Sequence, residues 1–442
     1  MPSPRPALLR RTGLAAVAFL TACSVQAQNL KDLYDAARAY DAAYLSARAQ
    51  ALSAEPRAAA AEALARPTLA LTAAASTTRV DPQGFPAGDS NAANAALAAR
   101  YPIINRVNDA SIAQAQRARE AAKAELELAE QDLIVRVAQA YFDVLAAQDT
   151  LATVQANKAG ITEQLASAKR NFEVGTATIT DTREAQAKFD KAVADEIAAE
   201  NALRSAGIAL DQLVGRSGVQ PHPLARPVVL PLLAPADVEA WVTRADGAHP
   251  DLNRARVALD VARLETEKAR AAEKFTLDAV GSVGAAHTSG RYATGLSGRS
   301  STASIGLQFN QPLYTGGLTE NQIREKLLLE EKARQDLDRA RRAIAQNTRV
   351  AFFNVQSGHA QVSALEAAES SARLALEATQ LGYRVGVRVN LDVLNAQTQL
   401  FQTERDLARA RYDVLLGSLR LRQASGQLES GDLEAVNALL TR

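Results

Sequence analysis

Between Ile112 and Val154, apolar side chains return in steps of three and four, with one step of seven. Ile112, Ala115, Ala122, Leu126, Ala129, Leu133, Val137, Ala140, Val144, Ala147, Leu151 and Val154 hold one 3.5-residue repeat. That period is the seam of a left-handed coiled coil, because it keeps a single stripe of an α-helix turned toward its partner. The pattern predicts a helix over residues 107–170, roughly 95 Å long at about 1.5 Å per residue. The stripe is packing architecture and marks no cofactor site. A compact domain has no use for such a length, whereas a tube or rod has.

Elsewhere the period shortens to two. In STASIGLQFNQPLY, Ala303, Ile305, Leu307 and Phe309 alternate with Thr302, Ser304, Gly306, Gln308 and Asn310, which gives a strand one apolar and one polar face. KFTLDAVGSVGAAHTS (residues 274–289) reads as a weaker strand, joined to the first through a Gly/Ser-rich loop at 290–300. Earlier, TLALTAAASTTR (68–79) and ANAALAARYPII (93–104) flank the turn-rich DPQGFPAGDS. Such strands suit an outer-membrane barrel, in which about 9–11 residues cross the bilayer. They suit equally well a half-buried hairpin on a soluble domain. Four strands cannot close a barrel alone, so the membrane reading requires an oligomer whose chains each contribute four.

The two patterns occur twice. NFEVGTATITDTREAQ (171–186) lies over GYRVGVRVNLDVLNAQ (382–397), so that Phe172 meets Tyr383, Val174 meets Val385, Gly175 meets Gly386, Asp181 meets Asp392 and Gln186 meets Gln397. At the same offset YFDV (141–144) meets FFNV (352–355) and Gly215 meets Gly426, while YPII (101–104) answers QPLY (311–314) one position out of register. Two long units indicate a duplicated domain rather than a solenoid. Each predicts a helix (30–64 and 236–274), a β-hairpin (68–104 and 275–313), a very long helix, a Val-Gly tip (174–176 and 385–387) and a shorter returning helix. The repeats span 28–220 and 236–442, and the proline-rich stretch 221–235 joins them, running outside the helices as an extended segment.

Composition narrows the function. The net charge is only +1 over 442 residues, which argues against nucleic acid as a partner, since its binders concentrate basic charge on one face. Scarce aromatics and abundant alanine fit long, closely packed helices. Arg10 and Arg11 precede the apolar run GLAAVAFL, too short for a spanning helix, so residues 1–27 read as a secretory signal peptide. Val25-Gln26-Ala27 fits a cleavage site, and Leu20-Thr21-Ala22-Cys23 fits the rival, a lipoprotein box with lipidation of Cys23. Cys23 is the single cysteine, so cleavage after Ala27 leaves neither a disulfide framework nor a cysteine metal site. The four histidines stand apart, without metal-ligand spacing, and there is no nucleophile elbow or phosphate-cradling loop. No cofactor, metal or enzyme activity is expected.

The paired hairpins, AYFDVLAAQDTL (140–151), RNFEVGTATITD (170–181), LYTGG (313–317) and GYRVGVRVNLDVL (382–394) together give a chain that resembles the TolC family of outer-membrane channels over nearly its whole mature length. The resemblance implies a mainly α protein with a small β part. Duplicated long coiled-coil hairpins form a periplasmic α-barrel tunnel, and four strands per chain enter a trimeric twelve-stranded barrel in outer-membrane lipid. It implies a passive exit duct of a tripartite efflux pump or a type I secretion system in a Gram-negative bacterium. The partners would be a periplasmic adaptor (membrane fusion) protein and an inner-membrane RND or ABC transporter. Val174, Gly175, Thr176, Val385, Gly386 and Val387 become the tips on which the adaptor docks. Tyr383 and Arg388 match the gate residues of the inner coiled coil, with Thr180 and Asp181 as their partners on the outer one. Asp392 matches a carboxylate ring at the entrance constriction. The family's second ring aspartate is here Asn395, which weakens the expected cation selectivity.

Read without the resemblance, the glycines are helix stops, the charged tip residues form surface ion pairs, and Asp392 faces a helix N-terminus. The alternative function is a purely periplasmic coiled-coil adaptor or scaffold. Adaptors carry one coiled-coil hairpin between β-rich domains, however, whereas this chain has two hairpins and no such regions. A substrate-specific porin is weaker still, since helix far exceeds strand.

Overall fold

The computed structural model describes residues 28–81, 83–84, 86–290 and 298–441. The signal segment, with Cys23 and both cleavage readings, lies outside the described residues. Two helices, α1 (Leu30–Tyr40) and α2 (Ala42–Glu62), lead through a short 3₁₀ turn into β1 (Thr68–Val80) and β2 (Gly88–Ile104). Then come α3 (Arg106–Glu173) and the returning α4 (Ile179–Val214). The second half repeats this order: α5 (Val238–Ala248), α6 (Pro250–Ala271), β3 (Thr276–Gly290), β4 (Gly298–Asn310), α7 (Leu318–Arg384) and α8 (Asn390–Ala424), closed by the short α9 (Asp432–Asn437). At 68 and 67 residues, α3 and α7 are each about 100 Å long.

The helices expected over 30–64 and 236–274 are each broken in two. Asp41 stops α1 and caps α2, its carboxylate accepting from the Tyr44 N–H at 2.8 Å. His249 does the same between α5 and α6, its Nδ1 accepting from the Asp251 N–H at 3.1 Å. Pro250 at the first position of α6 was the readable signal of that break. The corners match in a second way. Gly215 and Gly426 end α4 and α8 with left-handed φ of 72° and 71°, and a Cβ on them would lie 2.4 Å from the Tyr40 ring and the His249 backbone respectively. Each returning helix therefore ends against the corner of its own repeat, and only glycine fits there.

The four strands form one antiparallel sheet in the order β1-β2-β3-β4. β2 begins at Gly88, five residues before the expected start, because residues 88–92 continue the pairing with β1. Register places Leu71, Leu97, Val283 and Ala303 in one row, Leu69, Ala99, Gly281 and Ile305 in the next, and Tyr101, Ala279 and Leu307 in the row below. These side chains share a face with Phe309, and the face is bare: Ile305 is 94% and Phe309 64% exposed. The opposite face carries Thr72, Asn94, Ser282, Ser304 and Gln308, and on it Arg100 donates to Asp278 at 2.6 Å.

The main core lies along the middle of α3, where both ends of the described chain and the linker pack on the helices. On the predicted seam, Leu133, Val137 and Val144 are buried, while Ile112, Ala115, Leu126 and Leu151 are only half-buried. A second stripe, Ile134, Ala138, Tyr141 and Leu145, is buried completely. The heptad reading missed it because a 3.5-residue repeat describes contact with one partner helix only, and here α3 is also covered by α1 and the linker. Tyr141 donates to the His222 carbonyl at 2.9 Å. Strand-like bridges tie Gln28 to Pro221 and Leu224 to Leu440, so the linker is clamped by both ends of the described chain.

Candidate functional site

The candidate site is the pair of tips where α3 turns into α4 and α7 into α8. The turns have nearly the same geometry. Val174 caps the end of α3 and Val385 that of α7, followed by Gly175 at φ 80° and Gly386 at φ 81°. Both glycines satisfy the steric demand of a left-handed helix stop, and a Cβ there would meet nothing within 4 Å. The Thr176 and Ala177 N–H groups return to the Asn171 carbonyl, as those of Val387 and Arg388 return to Gly382. Val174, Val385 and Val387 are 72%, 67% and 77% exposed, so each tip presents bare apolar side chains on a rigid turn.

The next residues differ between copies. In the first, Thr178 and Asp181 form a reciprocal capping box: the Thr178 N–H donates to Asp181 Oδ2 at 2.9 Å, and the Asp181 N–H donates to Thr178 Oγ1 at 3.2 Å. In the second, Val389 cannot return that bond through its side chain, and the Asp392 carboxylate accepts only a long 3.4 Å bond from the Val389 N–H. Asp392 instead has Arg388 at 3.6 Å, one helical turn before it.

Within one chain these contacts group the predicted residues in an unexpected way. Arg388 and Asp392, assigned by resemblance to a latch and to a ring, pair with each other. Tyr383 reaches α3, but its hydroxyl accepts from Asn171 Nδ2 at 3.1 Å. Thr180 is exposed and Asp181 is engaged in its cap, so neither is joined to Tyr383 or Arg388. Asn395 accepts from Lys188 Nζ at 3.2 Å, which brings a positive charge to the place where the resemblance expects a second carboxylate. Asn171 and Lys188 carried no signal in the sequence. Both are ordinary surface types, and only the antiparallel register of four helices brings them to the tip. The described residues contain no cluster of metal-ligating side chains, and no helix among them is long and apolar enough to cross a membrane.

A sequence model of the family described as outer membrane efflux protein matches residues 33–216 and 241–427. The chain is 33% identical to the outer membrane protein TolC of Vibrio cholerae over 416 residues, covering 94% of each. It is 36% identical to the alkaline protease secretion protein AprF of Pseudomonas aeruginosa, over 70% of this chain and 64% of that one. Among solved structures, the Campylobacter jejuni CmeC outer membrane channel superposes with a TM-score of 0.79 at 16% identity, covering 100% of this chain and 98% of that one.

Proposed function

The chain belongs to the outer membrane efflux protein (TolC) family, and from that premise we propose that three copies close into one duct whose periplasmic end is opened by an adaptor protein. The family fixes the coarser statement: this is a passive outer-membrane channel of a Gram-negative bacterium, with a helical tunnel in the periplasm, and not an enzyme.

One observation carries the finer reading. The sheet has an apolar face, a polar face and two outer edges, on β1 and β4, without partners among the described residues. Bare backbone edges are too costly in lipid to persist. Three such sheets, joined β4 to β1, give a closed twelve-stranded barrel with the apolar face on lipid and Ser304, Gln308 and Asn94 toward the lumen. Below the barrel, Phe353, Ala360, Ala367, Leu374 and Leu381 form an exposed heptad stripe on α7, which the α4 edge of a neighbouring copy, with exposed Ile197 and Ile208, would cover.

In this assembly the two repeats serve as equivalent helical hairpins, α3/α4 outside and α7/α8 at the entrance. Val174, Gly175, Thr176, Val385, Gly386 and Val387 offer the adaptor a rigid, apolar pair of knuckles. Tyr383 and Arg388 latch the inner hairpin, and Thr180 and Asp181 serve a neighbouring copy rather than their own. Exposed links of this type are each worth about 0.2–1 kcal/mol, weak enough for docking to release. Asp392 lines the constriction. With Arg388 beside it and Lys188 on Asn395, the entrance holds multivalent cations poorly. The pump behind it is an RND or an ABC transporter.

Single-channel recording of the purified protein in planar bilayers tests this. Wild type is expected to give small openings with a slight cation preference. Arg388→Ser should enlarge the conductance and Asp392→Asn should abolish the preference. Openings unaffected by either change would sink the gate assignments, and a water-soluble monomer without channels would restore the periplasmic scaffold.

A further inference from the structure

Gln28 is held on several sides at once. Its N–H donates to the Gln220 carbonyl at 2.9 Å, and its own carbonyl accepts from the His222 N–H and the Tyr141 hydroxyl, both at 3.4 Å. Asn29 then caps α1, accepting from the Asp32 N–H at 2.9 Å. From α9, Asn437 donates to the Asn29 side chain at 3.2 Å and accepts from the Leu30 N–H at 3.0 Å, while Lys31 pairs with Glu434. Leu30 and Leu33 are completely buried. Together these contacts clasp residues 28–33 to the linker, to α9 and to the middle of α3.

The length of α3 fixes how far that clasp lies from lipid. Tyr101, Phe275 and Phe309 mark the level at which the strands leave the outer membrane. α3 starts just past that level at Arg106, and Tyr141 stands 35 residues along it, about 50 Å away at about 1.5 Å per residue. A tilt of about 20° shortens this by only about 3 Å. The tip of α3 lies about as far again on the other side of Tyr141. Cys23 precedes Gln28 by five residues, and five residues span at most about 18 Å. A lipidated cysteine sits in the headgroup layer, which brings the membrane about 5–7 Å closer. With Gln28 in its clasp, the lipid on Cys23 therefore falls short of the bilayer by roughly 25 Å, and a tether able to reach needs about twelve residues. The acyl chains would have to stay in water, or else pull Gln28, Leu30 and Leu33 out of the core. A cut after Ala27 meets no such conflict, because nothing is left over between the cut and the first bond of the clasp.

We propose that the chain is cut after Ala27, so that Gln28 is the mature N-terminus with its α-nitrogen seated in the clasp, while Cys23 leaves unlipidated with the signal peptide. The step is a hydrolysis: water adds across the Ala27–Gln28 peptide bond, leaving a carboxylate on Ala27 and an ammonium on Gln28. The ammonium keeps its bond to the Gln220 carbonyl and makes it charge-assisted, hence stronger. The inference rests on the barrel standing in the outer membrane and on nothing at the tips.

The test uses the full-length chain, expressed with its own signal segment in a Gram-negative host and purified from outer membranes. Intact-mass spectrometry should give one species beginning at Gln28, as glutamine or as the lactam it forms by losing ammonia. Labelled palmitate should not enter the protein, and Cys23→Ala should change neither the mature mass nor the yield. A species beginning at an acylated Cys23, or loss of processing in Cys23→Ala, overturns the proposal. Ala27→Leu removes the small residue that the cut requires and should lower the mature species at least about tenfold, with precursor accumulating. Undiminished processing of that variant at the Ala27 bond's position also overturns it. A wild-type chain found in the soluble periplasmic fraction would sink the barrel reading, and its mass would still decide the cut: a start at Gln28 supports the proposal and any other start overturns it.

Discussion

At the scale of the residue, His249 makes one corner of the molecule sensitive to acid. Its Nδ1 caps α6 by accepting from the Asp251 N–H, which only an unprotonated ring nitrogen can do. Burial lowers its pKa, against a smaller opposing pull from Asp251. The folded form therefore binds its proton at lower pH than the unfolded chain, whose histidine titrates near about 6.5. The stability contributed is fully present above about pH 6.5 and is lost as pH falls through the folded value. Amides of residues 251–253 should accordingly keep their protection above about pH 6.5 and lose it as pH falls below that value, after correction for intrinsic exchange rates. His249→Asn keeps a cap and should flatten that response, and an unchanged response would show the cap is not the cause. Asp41, at the matching corner, behaves in the same sense but at lower pH. Its bidentate bonds from Arg136, both 3.0 Å, hold its pKa below the usual carboxylate range. The first repeat therefore keeps its corner through mild acid that loosens the second.

At the scale of the element, the sheet makes a prediction that separates its two faces. Ile305 and Ser304 are neighbours in β4, yet the register sends them to opposite sides. Placing Arg at Ile305 puts a charge on the apolar face, which the proposed barrel turns to lipid, where it costs about 2–4 kcal/mol near the bilayer midplane and little near its edges. Ile305→Arg should sharply reduce the amount of folded protein recovered from outer membranes, while Ser304→Arg, on the polar face, should be recovered like wild type. Equal recovery would mean that this face does not meet lipid. The aromatic pair Phe275 and Phe309, stacked at 5.4 Å, lies with Tyr101 at the helix-proximal end of the strands. Amphipathic or aromatic rings favour that interfacial level.

At the scale of the whole molecule, the chain exposes what it cannot satisfy alone. The α7 stripe from Phe353 to Leu381 keeps heptad spacing and is exposed along its length, as expected of a seam awaiting a partner helix. Native mass spectrometry in detergent should find three chains together. Leu374→Lys combined with Leu381→Lys should shift the population toward single chains, because unpaired charges would be buried in the seam. A three-chain species of undiminished abundance would place the contact elsewhere.

Much of this was legible in the sequence, for identifiable reasons. Heptad and period-two patterns are local, and they sufficed for the long helices, the strands and the sheet's apolar face, because each follows from side-chain periodicity against a single neighbour. The duplicated turns marked the tips, since a left-handed helix stop needs glycine wherever it occurs. Tertiary structure alone decided what depends on two surfaces at once. The stripe from Ile134 to Leu145 is buried because linker and α1 cover α3 from a second side. The corners at Asp41 and His249 are fixed by what packs on them from Gly215 and Gly426. Asn171 met Tyr383, and Lys188 met Asn395, because a hydrogen bond reaches only about 3 Å. A periodic pattern places a residue on a face, but the antiparallel register of four helices, set by their packing, chooses which two side chains come within that reach.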